Sequence, residues 1–333
     1  MKKTDINNIF SEFSSKKILV IGDVMLDTYL WGNVDRISPE APVPVVSCIK
    51  KEDRLGGAAN VALNIKTLGA TPILCGITGN DNNGKKIFER LKKQNISGEG
   101  IIISKSRDTI SKTRIISNNQ HLIRIDEEST EILSFELEQE FQKKILDLME
   151  QIKFDAVIFE DYDKGCISSG LINQLVGICN SSKIPVLVDP KKRNFYSYKN
   201  VNLFKPNLKE LREGLKSEIN TKDINSLRSA TNRLIKEIKA SRILVTLSDE
   251  GVYIYNGNSD IHIPAEIIDI TDVSGAGDTV IAVASLCMTT GVDDKTLATI
   301  SNIAGGLVCG KVGVVPINFD ELLEKCLKKP DLF

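Results

Sequence analysis

Short apolar runs that end in a polar or turn residue recur along this chain, separated by stretches of helical periodicity. No other feature limits the fold as strongly. Ile18, Leu19, Val20, Ile21 and Gly22 form the first run, and others follow at 72–77, 156–159, 185–188 and 243–247. Runs this short and this continuously apolar read as parallel strands covered on both faces. Helical patterns fill most of the gaps, at 58–68, 84–94, 135–152, 168–179 and 224–238. The alternation predicts one α/β domain over residues 1–333, a mostly parallel sheet with helices on both faces. Two segments break the rhythm. Residues 28–50 and 99–126 show strand-like alternation with few helix signals, and are expected to project as a small antiparallel sheet, a lid. Ligands of such folds collect beyond the carboxyl ends of the strands. Gly22-Asp23, Glu160-Asp161, Asp189-Pro190 and Leu247-Ser248 all fall at expected strand ends.

Bulk properties remove several classes of partner. The 43 Lys and Arg against 44 Asp and Glu give a net charge of −1, with no basic face for nucleic acid and no membrane-seeking tail. The first residues are polar, and no apolar run approaches the roughly 20 residues of a membrane span. Seven cysteines lie scattered without CxxC spacing, the usage of a cytoplasmic protein with reduced thiols and no zinc.

Asp272-Val273-Ser274-Gly275-Ala276-Gly277-Asp278 lies between a β-like run (261–270) and a helical pattern of small residues (279–290). The glycines allow a tight turn and close approach to a ligand. The following helix would aim unpaired N–H groups and its positive dipole end at that ligand, which suits a phosphate. Asp278 adds a carboxylate placed to take a proton from a hydroxyl. An anion hole and a base are the minimal kit for phosphoryl transfer to an alcohol, although the same residues also describe a glycine turn with a capping aspartate. Gly56-Gly57-Ala58-Ala59-Asn60 precedes another amphipathic helix. Asn60 there is suited either to a sugar hydroxyl or to capping.

In this order the two motifs resemble the two signatures of ribokinase-like (PfkB) carbohydrate kinases, and the likeness spans most of the chain. Further pieces resemble the branch that acts on D-glycero-β-D-manno-heptose 7-phosphate. They are Gly22-Asp23-Val24-Met25-Leu26-Asp27, Arg36-Ile37-Ser38-Pro39-Glu40-Ala41-Pro42-Val43-Pro44-Val45, His121-Leu122-Ile123-Arg124-Ile125-Asp126, Asp161-Tyr162-Asp163-Lys164-Gly165 and Asp189-Pro190-Lys191. The resemblance implies a three-layer α/β/α fold. It also implies transfer of the γ-phosphoryl of Mg-ATP to the sugar's C1 hydroxyl, giving a 1,7-bisphosphate for ADP-heptose and lipopolysaccharide core synthesis. By the same resemblance Asp278 is the base and Gly275, Ala276 and Gly277 are the anion hole. Asn207, Leu208, Lys209 and Glu210 match the ATP segment, with Glu210 acting on Mg2+ through water, and Ser248 and Gly251 match a nucleotide turn more loosely. Asp27, Asp23, Gly57 and Asn60 match the sugar site, and Arg36, Arg124, Lys164 and Lys191 are the candidates for the distal phosphate. A monovalent cation and a homodimer formed through the lid also follow from it.

Two departures stand out. Glu160 occupies a position where the family usually has a small hydroxyl residue, and Asp163 one where Gly or Ala is common. Two added carboxylates are expected to weaken binding of an anionic sugar. His121 and His262 are the only histidines and neither lies in an HxGH motif, so the adenylyltransferase step is expected on a separate chain. Kinases for ribose, fructose phosphate or tagatose phosphate remain alternatives, as does a non-catalytic sugar or nucleotide sensor; fold alone does not separate these.

Overall fold

The computed structural model describes residues 2–118, 120–265 and 271–333, and in it the apolar runs become the middle of a nine-stranded sheet. The strands in chain order are β1 (Lys17–Gly22), β2 (Val24–Ile37), β3 (Pro44–Gly57), β4 (Thr71–Gly79), β5 (Gly100–Ser104), β6 (Ile110–Ser117), β7 (Gln120–Glu127), β8 (Ala156–Glu160), β9 (Val186–Asp189), β10 (Leu203–Phe204), β11 (Ile243–Thr246), β12 (Val252–Tyr255) and β13 (Asp260–Ile263). The large sheet runs β13-β12-β11-β10-β9-β8-β1-β4-β5, and a second sheet runs β3-β2-β6-β7. From β11 to β5 all neighbours are parallel, while β12 and β13 add antiparallel strands at one edge.

The helices are α1 (Lys3–Glu12), α2 (Ala58–Thr67), α3 (Asn82–Lys93), α4 (Phe135–Gln151), α5 (Ser169–Ser181), α6 (Leu208–Leu215), α7 (Ile224–Ile238), α8 (Ala276–Thr289), α9 (Asp294–Cys309) and α10 (Phe319–Lys328). Strand β1 explains why its sequence is apolar throughout. Ile18 and Val20 face a core built with α1, α2, α3, α8, α9 and α10, and Leu19 and Ile21 face a second core built with α4 to α7. Ser134, Ser168, Asn207 and Asp223 each accept an N-terminal amide of the helix that follows, which sets where α4 to α7 begin. None of the described helices is long and apolar enough to cross a membrane.

The strand order reverses between β1 and β8, since β4 and β5 extend one way from β1 and β8 to β11 the other. Gly22 at the end of β1 pairs with Glu160 at the end of β8. A Cβ on Gly22 would lie 2.1 Å from the Glu160 carbonyl oxygen, so only glycine allows these ends to meet. The crevice beyond such a reversal is where ligands of open α/β sheets bind.

The second sheet rises directly over this crevice, because β2 starts two residues after β1 and β3 runs straight into α2. It is made of two antiparallel pairs, β2–β3 and β6–β7, joined through a parallel pair, β2–β6. One expectation changes. The first part of the 99–126 segment is β5, at the edge of the large sheet with Ile101 and Ile102 buried, and only β6 and β7 belong to the lid. An edge strand and a lid strand carry the same half-apolar alternation, so pattern alone does not assign them to a sheet. Of the expected strand 261–270, residues up to Ile263 form β13, and 266–270 lie outside the described residues.

Ile18 is fully buried in the central strand, so Ile18→Ala should destabilise the fold by about 2–5 kcal/mol. Urea unfolding followed by circular dichroism will show a lower midpoint with an unchanged slope.

Candidate active site

Helix α8 begins at the crevice. Gly275 caps it with φ 77°, a left-handed conformation that glycine tolerates, and Asn60 Nδ2 packs 3.0 Å from where a Cβ would stand. Among the described residues, the first-turn amides of Gly277 and Asp278 find no backbone or side-chain acceptor, so they point donors and the helix dipole into the crevice. Asp278 is buried at the same turn. Its Oδ2 accepts from Asn60 Nδ2 at 2.7 Å and its Oδ1 from the Tyr162 hydroxyl at 2.8 Å. Burial pushes the Asp278 carboxyl up to about 6, with the Asn60 and Tyr162 hydrogen bonds opposing the rise. A carboxylate so tuned, beside free amides, has the chemistry to accept a proton next to a site that could hold an anion.

Asn60 is itself fixed from below. Asn64 donates to the Asn60 carbonyl, and Asn64 Oδ1 accepts from Thr279 Oγ1 and the Ile317 amide, tying α2 to α8 and to the chain before α10. Gly57 has φ 57°, and a Cβ there would meet the Asp23 carbonyl oxygen at 2.4 Å. The close contact of the β3–α2 corner with the end of β1 therefore depends on glycine.

A cleft of about 540 Å³ opens from Asp278 towards β11 and β12. Asn207, Ser248, Gly251, Lys191 and the Gly275–Gly277 turn line it, as do Tyr162, Asp189 and Lys205. Asn207 and Glu210 form the reciprocal capping box of α6 at 2.8 Å each way, and Glu210 also pairs with Lys191. Leu208 packs into the core and Lys209 is exposed beside Glu213, so these two are not at the cleft. Lys205 Nζ lies 2.7 Å from Asp189 Oδ2 and is fully withdrawn from solvent. Burial pulls its ammonium down, but Asp189, Glu210 and Glu160 outweigh this and hold it above its ordinary value.

On the lid side, Asp27 is buried at the base of β2 and pairs with Arg114 of β6. Burial raises the Asp27 carboxyl, with the Arg114 guanidinium working against it. A Cβ on Gly56 would collide with the Asp27 carboxylate, which places that carboxylate against the β3–α2 corner. Asp23 has a different occupation. Its two oxygens accept the amides of Tyr162, Lys164 and Cys166 at 2.8, 3.1 and 3.3 Å, and burial with Asp161 nearby raises its carboxyl to about 6.

The four candidate cations for a distal phosphate are not gathered together. Arg36 is exposed near the far end of β2, and Arg124 is exposed and paired with Asp126. Lys164 is held by Glu128 at 2.6 Å, and Lys191 faces the cleft on the other side of Asp278. The two departures sit in different surroundings. Asp163 adopts φ 58° and accepts the Arg193 amide, shaping the loop after β8. Glu160 is completely buried beneath the crevice, and neither of its carboxylate oxygens has a hydrogen-bond partner. Tyr162, Lys205 and Arg114 were not singled out from the sequence. Tyr162 stands two residues past a strand end, which is the one signal that would have found it. Lys205 and Arg114 carry no such mark.

Residues 15–319 match the pfkB family of carbohydrate kinases. The chain belongs to that family. Among curated relatives, the bifunctional protein HldE of Syntrophotalea carbinolica is 36% identical over 325 residues, covering 97% of this chain and 66% of that protein. The bifunctional protein HldE of Campylobacter jejuni subsp. doylei is 41% identical over 308 residues, covering 92% of this chain and 64% of that protein. The chain thus spans a little under two thirds of the length of these relatives. Phosphofructokinase-2 from Escherichia coli, solved with potassium, superposes with a TM-score of 0.76 at 17% identity, covering 95% of this chain and 99% of the other. Arabidopsis thaliana ribokinase, solved with ribose and ATP, gives 0.71 at 18% identity over 94% and 98%. At these identities the likeness of the two structures is one of fold. Family and fold together make the chain an ATP-dependent sugar kinase.

The site sets a pH dependence for this kinase. If Asp278 takes the proton it must be ionised to do so, and kcat/KM should then fall as pH drops through about 6. Tyr162→Phe removes a hydrogen bond that favours the ionised form, so the acid limb should move to higher pH. A pH–rate profile of the two proteins checks both statements.

Proposed function

We propose that this kinase transfers the γ-phosphoryl of ATP to the C1 hydroxyl of D-glycero-β-D-manno-heptose 7-phosphate. The observation that carries the chemistry is the buried Asp278 carboxylate, held by Asn60 and Tyr162 beside the free amides of the α8 start. In this reading Asp278 takes the hydroxyl proton as the oxygen attacks phosphorus. The Gly275–Asp278 turn receives the phosphate charge, with Lys205 and Lys191 on the cleft wall adding to the positive field. Asn207, Ser248 and Gly251 line the space for the nucleotide, and Asp27 at the lid base accepts sugar hydroxyls. The Glu210 carboxylate, beside Lys191, fits a role towards Mg2+ through water; bound with ATP, the ion would neutralise phosphate charge. The sugar is read from the runs Asp23–Asp27 and Arg36–Val45, and relatives at 36% and 41% identity along nearly the whole chain are consistent with it.

The lid supports a further part of the proposal, a homodimer. Ile37, Val43, Ile49, Ile123 and Ile125 are each 48–71% exposed on it, and β7 is an outer strand exposed along its length. An apolar surface and an open edge of this kind are stable in water when a second lid covers them.

Three measurements test these assignments. A panel of phosphosugars with ATP should show the heptose 7-phosphate preferred over fructose 6-phosphate and ribose; the reverse order refutes the substrate. Asp278→Asn should lower turnover on the order of 10²-fold or more while nucleotide affinity changes little. Light scattering should report a dimer that Ile49→Asp dissociates, and a monomeric wild type with full activity refutes lid pairing.

A further inference from the structure

Helix α8 starts at the crevice, and its other end borders a second cavity beyond the amino ends of the strands. This cavity has a volume of about 480 Å³, within the usual range of small-molecule sites, and no part in the chemistry assigned above. Lys183, Asn202 and Arg242 stand on the approaches to β9, β10 and β11 and form one wall. Met288 of α8, Val292 in the turn that follows and Leu297 of α9 form the other. The rise along α8 from Asp278 to Met288 is about 15 Å, so the two sites are separate.

Three donors on the polar wall lack acceptors among the described residues. Asn202 Oδ1 accepts the Val186 amide at 2.8 Å; a main-chain N–H can only donate, so the oxygen is the committed atom and Nδ2 is left over. Arg242 donates through Nε to Asp294, and its two terminal nitrogens have no acceptor. The Lys183 ammonium has no partner. Asp294 also accepts from Asn256 at 2.9 Å, while Asp293 faces the first-turn amides of α9. Lys183 and Arg242 against Asp294 leave one positive charge on this wall. That single charge selects a ligand class. A carboxylate neutralises it, whereas a phosphate monoester, at about −1.5 to −2 near pH 7, overshoots. The opposite wall is apolar and includes an adaptable methionine, which suits a hydrocarbon or aromatic body.

We propose that this cavity is a binding site for a small amphipathic carboxylate. The Arg242 guanidinium takes the carboxylate through its terminal nitrogens, a charge-assisted contact that Lys183 and Asn202 complete. The apolar body of the ligand lies against Met288, Val292 and Leu297. The site is distinct from the nucleotide cleft, which lies at the carboxyl ends of the strands, and it does not depend on the identity of the sugar.

The probe is 2-naphthoate, one carboxylate on a planar apolar body, compared with neutral 2-naphthamide and dianionic 2-naphthyl phosphate. Equilibrium dialysis uses the full chain saturated with ADP and Mg2+, so that the nucleotide cleft is filled. The wild type should bind one naphthoate per chain, about tenfold more tightly than the amide and more tightly than the phosphate ester. Arg242→Gln should weaken binding about tenfold, and Lys183→Gln, which removes a more exposed charge, by a few-fold. Val292→Phe, which fills the space, should abolish it. Circular dichroism shows whether each variant is folded. The proposal is overturned if the wild type binds no naphthoate, or if ADP displaces it, which places it in the nucleotide cleft. It is equally overturned if folded Arg242→Gln and Val292→Phe bind as the wild type does, which places the probe on another apolar surface such as the lid. Tighter binding of the phosphate ester than of the carboxylate overturns the ligand class. No phosphosugar is turned over in any of these measurements, so this proposal and the one for the substrate fail separately.

Discussion

Five carboxylates, those of Asp23, Glu160, Asp161, Asp189 and Asp278, are withdrawn from water at one end of the sheet, none more than 4% exposed. Removing each from water costs several kcal/mol unless the protein supplies partners, and the loops of the site are shaped by how that is done. Asp23 takes three main-chain amides from the loop after β8. Asp161 accepts from Asn194, Tyr198 and the Asp163 amide, and Asp189 pairs with Lys205. Asp278 is held by two neutral donors, a weaker compensation than an ammonium, and it keeps a carboxyl raised to about 6. Glu160 alone of the five has no hydrogen-bond partner among the described residues.

The same pairings connect distant parts of the chain. Asp23 pins the loop that carries Tyr162, and Tyr162 reaches Asp278, so the end of the first strand positions the base through one intermediate. The lid is tied in similarly. The Tyr29 hydroxyl accepts the Val314 amide, and Arg54 donates to the carbonyls of Val312 and Val314. Asp272, at the start of the anion-hole segment, accepts the Gly313 amide and lies 3.3 Å from His121 of β7. Lid, anion hole and the chain after α9 therefore meet in one small region. A lid that closed over a bound sugar would act on the Asp272–Asp278 segment through these direct contacts, and such closure is one way to exclude water from a phosphoryl group in transfer.

Local rules in the sequence were enough for the α/β class, the two-sided core, the strand ends that form the crevice, and the motif at the start of α8. A run such as 18–22 has one stable environment, and a glycine turn before a helix has few. Asn60 and Asp278 were likewise legible as candidates, because each sits at a helix start near glycine, and the structure brings the two side chains together. Local pattern did not assign β5 to its sheet, since alternation states that a strand has one buried face and not which sheet buries it. It also missed Arg114 as the partner of Asp27, Lys205 as the partner of Asp189, and Tyr162 as a donor to Asp278. These pairs are 87, 16 and 116 residues apart in the chain. Burial and the charge of a neighbour depend on what the fold brings within a few ångströms. That decided the fate of Glu160, read from sequence as a carboxylate that would repel an anionic sugar and found beneath the site without a partner. The sequence by itself determined which residue types stand at the strand ends, because strand and helix periodicity are local. The tertiary structure alone decided which of those carboxylates are compensated and which remain to act, because desolvation and pairing are properties of three-dimensional neighbours.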